Sequence, residues 1–161
     1  MTEIKYEREV DLVDDFLTAL DTGMSPWGKV ELTQEWDYRS GITDVLVRTL
    51  DGHLVAFEAK LSNWRKALHQ AYRNTSFAKK AYVVLPAKTV RAARAHPEMF
   101  QRYGVGLCSV QNNCVSIIIE APVASSEPLV PWLHKRAHDF FDDALANESA
   151  KRHPAGDLQA A

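Results

Sequence analysis

The stretch Gly41-Ile-Thr-Asp44-Val-Leu-Val-Arg-Thr-Leu50-Asp-Gly52-His-Leu-Val-Ala-Phe-Glu58-Ala-Lys60 decides the fold. Its first part, Ile42 to Leu50, reads as a strand. Asp51-Gly52 signals a turn, and His53 to Lys60 reads as the next strand. The register of this hairpin determines whether its charged residues meet. A two-residue loop, Asp51-Gly52, sets Asp44 opposite Ala59 and turns it away from Glu58. A three-residue loop, Leu50-Asp51-Gly52, sets Asp44 opposite Glu58 with both carboxylates on one face. The three-residue loop is expected, with a bulge at Gly52, because its last position is left-handed and suits glycine.

Outward from the hairpin, residues 29–37 alternate as a half-exposed strand, which makes a three-stranded antiparallel meander. Before it, Val10, Val13, Phe16, Leu17 and Leu20 recur at helical spacing from about Tyr6 to Leu20. After it, Ser62 or Asn63 caps a helix that begins at Trp64 and runs to about Ala78. Ala81–Leu85 is a short apolar run expected to pair in parallel, since a helix precedes it. One helix from Ala87 to about Phe100, a hairpin of 105–110 and 114–120 turning at Asn112-Asn113, and a helix from Trp132 to Ala146 complete the chain. The expected architecture is a single-domain α/β sandwich with a mixed central sheet, core order α-β-β-β-α-β plus a C-terminal hairpin and helix. The domain is expected to span 1–148, with 149–161 a disordered tail.

Composition sets bounds. Among 161 residues no apolar run reaches the length of a membrane span, and the N-terminus lacks a secretory pattern. Two cysteines, Cys108 and Cys114, form no disulfide framework and suit a reducing cytoplasm. The net charge of −2 hides a segregation. Residues 1–59 hold 13 acids and 5 Lys/Arg, whereas residues 60–104 hold 10 Lys/Arg and one acid, Glu98. Carboxylates beside a basic surface suit a polyanion bound through cations. Chance clustering on solvated helix faces would give the same counts.

Glu58 and Lys60 leave the same strand face, and Asp44 joins them in the favoured register. Two opposed carboxylates repel unless a positive charge lies between them, and a hard divalent cation such as Mg²⁺ takes oxygen ligands of this kind. A cross-strand salt bridge to Lys60 is the alternative. The apolar neighbours Val55, Ala56, Phe57 and Ala59 make this strand central, where unpaired charge is costly.

The segments Gly41-Ile-Thr-Asp44-Val-Leu-Val and Val55-Ala-Phe-Glu58-Ala-Lys60, followed by a helix carrying Gln70, resemble the core of the PD-(D/E)XK, or restriction-endonuclease-like, nuclease superfamily. The resemblance covers about residues 5–86, with Thr43 in place of the motif's proline. It implies a metal-dependent phosphodiesterase cleaving DNA, more an endonuclease than an exonuclease, working in defence, repair or a mobile element with Mg²⁺ (or Mn²⁺). It further implies that Asp44, Glu58 and the Ala59 carbonyl ligate metal and that Lys60 assists the attacking water. A glutamate on the first helix that joins these metal ligands is also implied. Glu9 and Glu7 compete for that place, and Glu9 is preferred because it lies on the face continued by Val13, Phe16 and Leu20. Gln70 is expected at the scissile phosphate or a metal-bound water, with a solvated helix surface as its alternative. The family's Gln-x3-Tyr submotif is not matched, since Asn74 stands at its last position. Arg65, Lys66, Arg73, Lys79 and Lys80 are the candidate phosphate contacts. A homodimer would bring two sites to two DNA strands. A module that keeps the fold and binds DNA without cutting it is the second expectation. His134 and His138 stand at a zinc-compatible spacing without an accompanying motif and read as solvated helix residues, while Cys108 reads as core packing.

Overall fold

The computed structural model describes residues 6–123 and 127–152, the side chains of 151 and 152 excepted. A six-stranded sheet in the sequential order β1-β2-β3-β4-β5-β6 forms its middle layer. The strands are β1 (Val30–Asp37), β2 (Ile42–Thr49), β3 (Leu54–Ala59), β4 (Lys80–Pro86), β5 (Gly106–Gln111) and β6 (Cys114–Ile119). β1, β2 and β3 are the expected antiparallel meander, β3-β4-β5 are parallel, and β5-β6 is an antiparallel hairpin. The helices are α1 (Glu9–Asp21), α2 (Trp64–Asn74), α3 (Val90–Arg94), α4 (Pro97–Tyr103) and α5 (Pro131–Arg152). This is the expected α/β sandwich with a mixed sheet.

Side-chain alternation along the strands separates the cores. Val45, Val47, Val55, Phe57 and Ala59 face α1, where Leu12, Phe16, Ala19 and Leu20 close over them. Leu46, Leu54 and Ala56 face the other way, toward Phe77 and the α5 residues Leu133, Ala137 and Phe141. On that same side α2, α3 and α4 cover Val83, Leu85 and Leu107. Among the described residues no helix is long and apolar enough to cross a membrane.

Several boundaries differ from expectation. α1 starts at Glu9 rather than Tyr6, and its buried stripe runs through Leu12 while Val10 is exposed. α2 stops at Asn74, four residues before the expected end, where the N–H groups of Thr75, Ser76 and Phe77 donate three residues back instead of four and tighten the chain into a turn. The single helix expected over 87–100 is two, α3 and α4, since Pro97 cannot continue the first and instead opens the second. α5 continues through Arg152, past Ala146 and into the segment expected to be disordered. The remainder of that expected tail, from residue 153, lies outside the described residues.

The hairpin resolves as the three-residue loop. Arg48 pairs with Leu54, and Thr49 N–H donates to the His53 carbonyl at 2.9 Å. Leu50, Asp51 and Gly52 therefore form the turn, and Gly52 sits at φ +82°. A side chain at that φ costs about 1–2 kcal/mol, while an added Cβ meets no atom within 4 Å. Gly52→Ala is thus expected to lower stability by about that amount through backbone strain alone. A shift of the urea midpoint at unchanged slope checks it.

Candidate active site

The β2–β3 ladder ends at the pair Val45–Phe57, one step before Asp44 and Glu58. A regular antiparallel continuation would send the Ala59 N–H to the Thr43 carbonyl. Instead it donates to Asp44 Oδ2 at 2.9 Å. The carboxylate of Asp44 thus lies in the mouth where the two strands part, beside Glu58. Glu35 stands opposite Asp44 on β1 at φ +48°, a left-handed conformation unusual for a glutamate. Leu32 packs on the α1 side, yet Trp36, four residues on, packs with Phe77 on the far side, so the alternation slips at Glu35. The same slip on β2 brings Thr43 to the α2 side, although Val45 faces α1.

Glu58 is 1% exposed. Its Oε1 accepts a hydrogen bond from Asn74 Nδ2 at 2.9 Å, and Asn74 Oδ1 accepts one from Thr43 Oγ1 at 2.9 Å. Asn74 and Thr43 are themselves wholly buried. Burial first, and then the neighbouring Asp44 charge, push the Glu58 carboxyl up to about 8. Asp44 lies within interaction distance of the Glu58 carboxyl. A buried acid held against a second acid is the state that a cation between them would relieve.

Lys60 follows β3 directly, and its N–H extends the parallel ladder by donating to the Val84 carbonyl at 3.1 Å. Its half-buried ammonium lies 3.3 Å from Glu9 Oε1 at the start of α1. Its partner is therefore Glu9, rather than Asp44 or Glu58 in a cross-strand salt bridge. Of the two competing glutamates, Glu9 is the one that contacts Lys60, and both are exposed. Gln70 is half-buried one turn before Asn74, and its Oε1 is a buried acceptor without a hydrogen-bond partner. It is not a solvated surface residue. An orphaned amide oxygen costs about 1–3 kcal/mol, and a water-borne donor would satisfy it.

The basic residues divide. Arg65, Lys66 and Arg73 are exposed on α2, with the Arg65 guanidinium 4.2 Å over the Trp64 ring. The Arg73 charge reaches Tyr38, which the Glu58 charge also reaches. Lys79 and Lys80 stand at the other end of the strands. Lys80 is level with Val55, three residues or about 10 Å before Glu58. Lys80 pairs with Glu120, and Lys79 Nζ meets His53 Nε2 at 3.2 Å. The structure does not bring these two to the carboxylates.

Sequence reasoning missed Asn74, Thr43 and Tyr38. Asn74 carried one signal, a polar residue one turn beyond Gln70 on the same helix. Tyr38 is 5% exposed, and its phenol is raised by burial and then by Glu58. It packs so closely on Gly41 that a Cβ there would lie 2.7 Å from Tyr38 Cζ. Among the described residues no three His, Cys, Asp or Glu side chains gather as a metal cluster, so His134 and His138 touch each other without a third ligand. Two carboxylates suffice for a hard cation that keeps several waters, so the donor set fits Mg²⁺ or Mn²⁺. Cys108 is core, as expected.

No protein-family model matches the sequence, and no curated protein matches it. Among solved structures the chain is similar to a repair endonuclease from Pyrococcus abyssi at 17% identity and a TM-score of 0.46, over 66% of this chain and 49% of that one. It is similar to EndoMS in the EndoMS-dsDNA2 complex at 17% identity and the same TM-score, over 68% and 47%. The chain thus spans about half the length of each. A third likeness, to the SPO1766 protein of unknown function from Silicibacter pomeroyi, has a TM-score of 0.60 at 16% identity. It covers 92% of this chain and 94% of that one, and is a likeness of fold over nearly the whole of both.

Proposed function

We propose that the chain is a metal-dependent nuclease of PD-(D/E)XK type that cleaves DNA, acting as an endonuclease. The observation that supports this most is the pair of carboxyls at the β2–β3 opening, one of them buried and raised to about 8 by burial and by the other. Asp44, Glu58 and the Ala59 carbonyl would hold Mg²⁺ or Mn²⁺. The chemistry such an ion supplies is polarisation of the phosphate and acidification of a water. Lys60 places a positive charge beside the reacting phosphate, and Glu9 holds its ammonium in position. Gln70 Oε1 would accept a hydrogen bond from the attacking water. Arg65, Lys66 and Arg73 contact DNA phosphates from α2, a helix without an acidic residue. Lys79 and Lys80 are left out of this surface by their position.

The Glu9–Lys60 ion pair favours a second reading, a nuclease fold that binds DNA without cutting it, because a lysine neutralised in the resting protein is less free to serve a phosphate. Incubation of supercoiled plasmid and single-stranded DNA with Mg²⁺, Mn²⁺ or chelator separates the two. Cutting that needs the cation is the result expected of the nuclease. Salt-sensitive binding without cutting under every condition would replace it with the second reading.

A further inference from the structure

The Asn74 amide has two ends of similar shape and opposite polarity, and the structure fixes which end meets Glu58. Thr43 Oγ1 donates to Asn74 Oδ1, so the Nδ2 end is the one that faces Glu58 Oε1, each contact being 2.9 Å. Reversal would set the amide oxygen against Glu58 whenever that group is ionised, as it must be to hold a cation. On the other side of the opening, the Ala59 N–H fixes Asp44 Oδ2. Each carboxyl therefore commits one oxygen to a protein donor. All three polar side chains of this relay, Thr43, Asn74 and Glu58, are at most 1% exposed, so water does not compete for these bonds.

We propose that Asn74, oriented by Thr43, is a positioning residue that holds Glu58 to single-oxygen ligation and thereby sets both the strength and the size preference of the cation site between Glu58 and Asp44. This rests on the cation-site reading above. Two carboxylates offering one oxygen each suit a small octahedral ion that retains water. A larger ion such as Ca²⁺ takes 6–8 oxygens and gains most from carboxylates that turn to bind through both. Releasing Glu58 should weaken binding of the small ion and narrow its advantage over the large one. Loss of an outer-shell partner of this kind costs about 10–100-fold in metal affinity.

The test is Mn²⁺ affinity, read by electron paramagnetic resonance of the free ion, together with Ca²⁺ competition, on the wild-type chain, Asn74→Ala and Thr43→Val. Thr43→Val keeps the side-chain shape and leaves Asn74 in place, so it reports on orientation even if Asn74→Ala does not fold. Circular dichroism establishes which variants are folded. The expected result is Mn²⁺ affinity about 10–100-fold weaker in Asn74→Ala, a smaller loss in Thr43→Val, and a reduced Mn²⁺/Ca²⁺ ratio in both. A purely structural role would leave that ratio unchanged in folded protein, and unchanged affinity with an unchanged ratio overturns the proposal. Absence of Mn²⁺ binding by the wild-type chain would instead overturn the cation-site reading, and the positioning role with it.

Discussion

Lys60→Ala should reduce Mg²⁺-dependent DNA cleavage by about 10²–10⁴-fold, the range for losing one proton-transfer or charge-stabilising group. Affinity for the cation should stay within a few-fold of wild type. The two readouts separate because Lys60 is bound to Glu9 rather than to either carboxylate. Its backbone N–H, which fixes the end of β3 against Val84, survives the substitution. The lost ion pair costs little stability, since Glu9 is 47% exposed and such pairs are worth at most about 1 kcal/mol. A large fall in rate with intact folding and metal binding would place Lys60 in the chemistry. Cleavage kinetics and a metal titration on one preparation check both halves. Equal cleavage by mutant and wild type would remove Lys60 from the mechanism.

Glu58→Gln should make the metal-free protein more stable than wild type in alkaline solution. Folding raises the Glu58 carboxyl from an ordinary 4.5 to about 8, through burial and then Asp44. Below about pH 4.5 the residue is protonated whether folded or unfolded, so it brings no penalty. Between 4.5 and 8 the folded chain keeps a proton that the unfolded chain has lost, and stability falls as pH rises. Above about 8 the penalty is complete, on the order of a few kcal/mol. The substituted amide stays neutral, can still accept from Asn74, and offers an N–H toward Asp44. Urea melts of wild type and mutant with chelator, from pH 5 to 9, should therefore diverge with rising pH, the mutant gaining. Added Mn²⁺ should stabilise the wild type and leave the mutant unmoved. Parallel curves at all pH values would mean that Glu58 is not the buried acid described.

The hairpin register and the Asp44–Glu58 encounter were legible because glycine chemistry and strand period both act locally. Gly52 needed a left-handed position, and that single requirement chose the loop length and with it the face of Asp44. The central strand was legible from its unbroken apolar neighbours. The part not legible depends on contacts distant in sequence. Glu35 adopts a left-handed conformation that its side chain does not favour, and only the surrounding sheet imposes it. The resulting slip carries Thr43 to the α2 side, 31 residues in sequence from its partner Asn74. α2 ends at Asn74, where periodicity alone would have continued it. Lys79 and Lys80 were grouped with the site by charge, which says nothing about which end of a strand a residue occupies. Pro97 did carry a local signal, and the apolar pattern across it obscured the break between α3 and α4.

Calorimetric titration of Mn²⁺ into the wild-type chain near pH 6.5, repeated in two buffers of different ionisation enthalpy, tests the central claim most directly. One ion bound per chain, with release of about one proton because Glu58 must ionise to take it, is the result this structure predicts. Binding should be lost in Asp44→Asn. Absence of binding, or binding that releases no proton and survives Asp44→Asn, would contradict a cation site between Asp44 and Glu58.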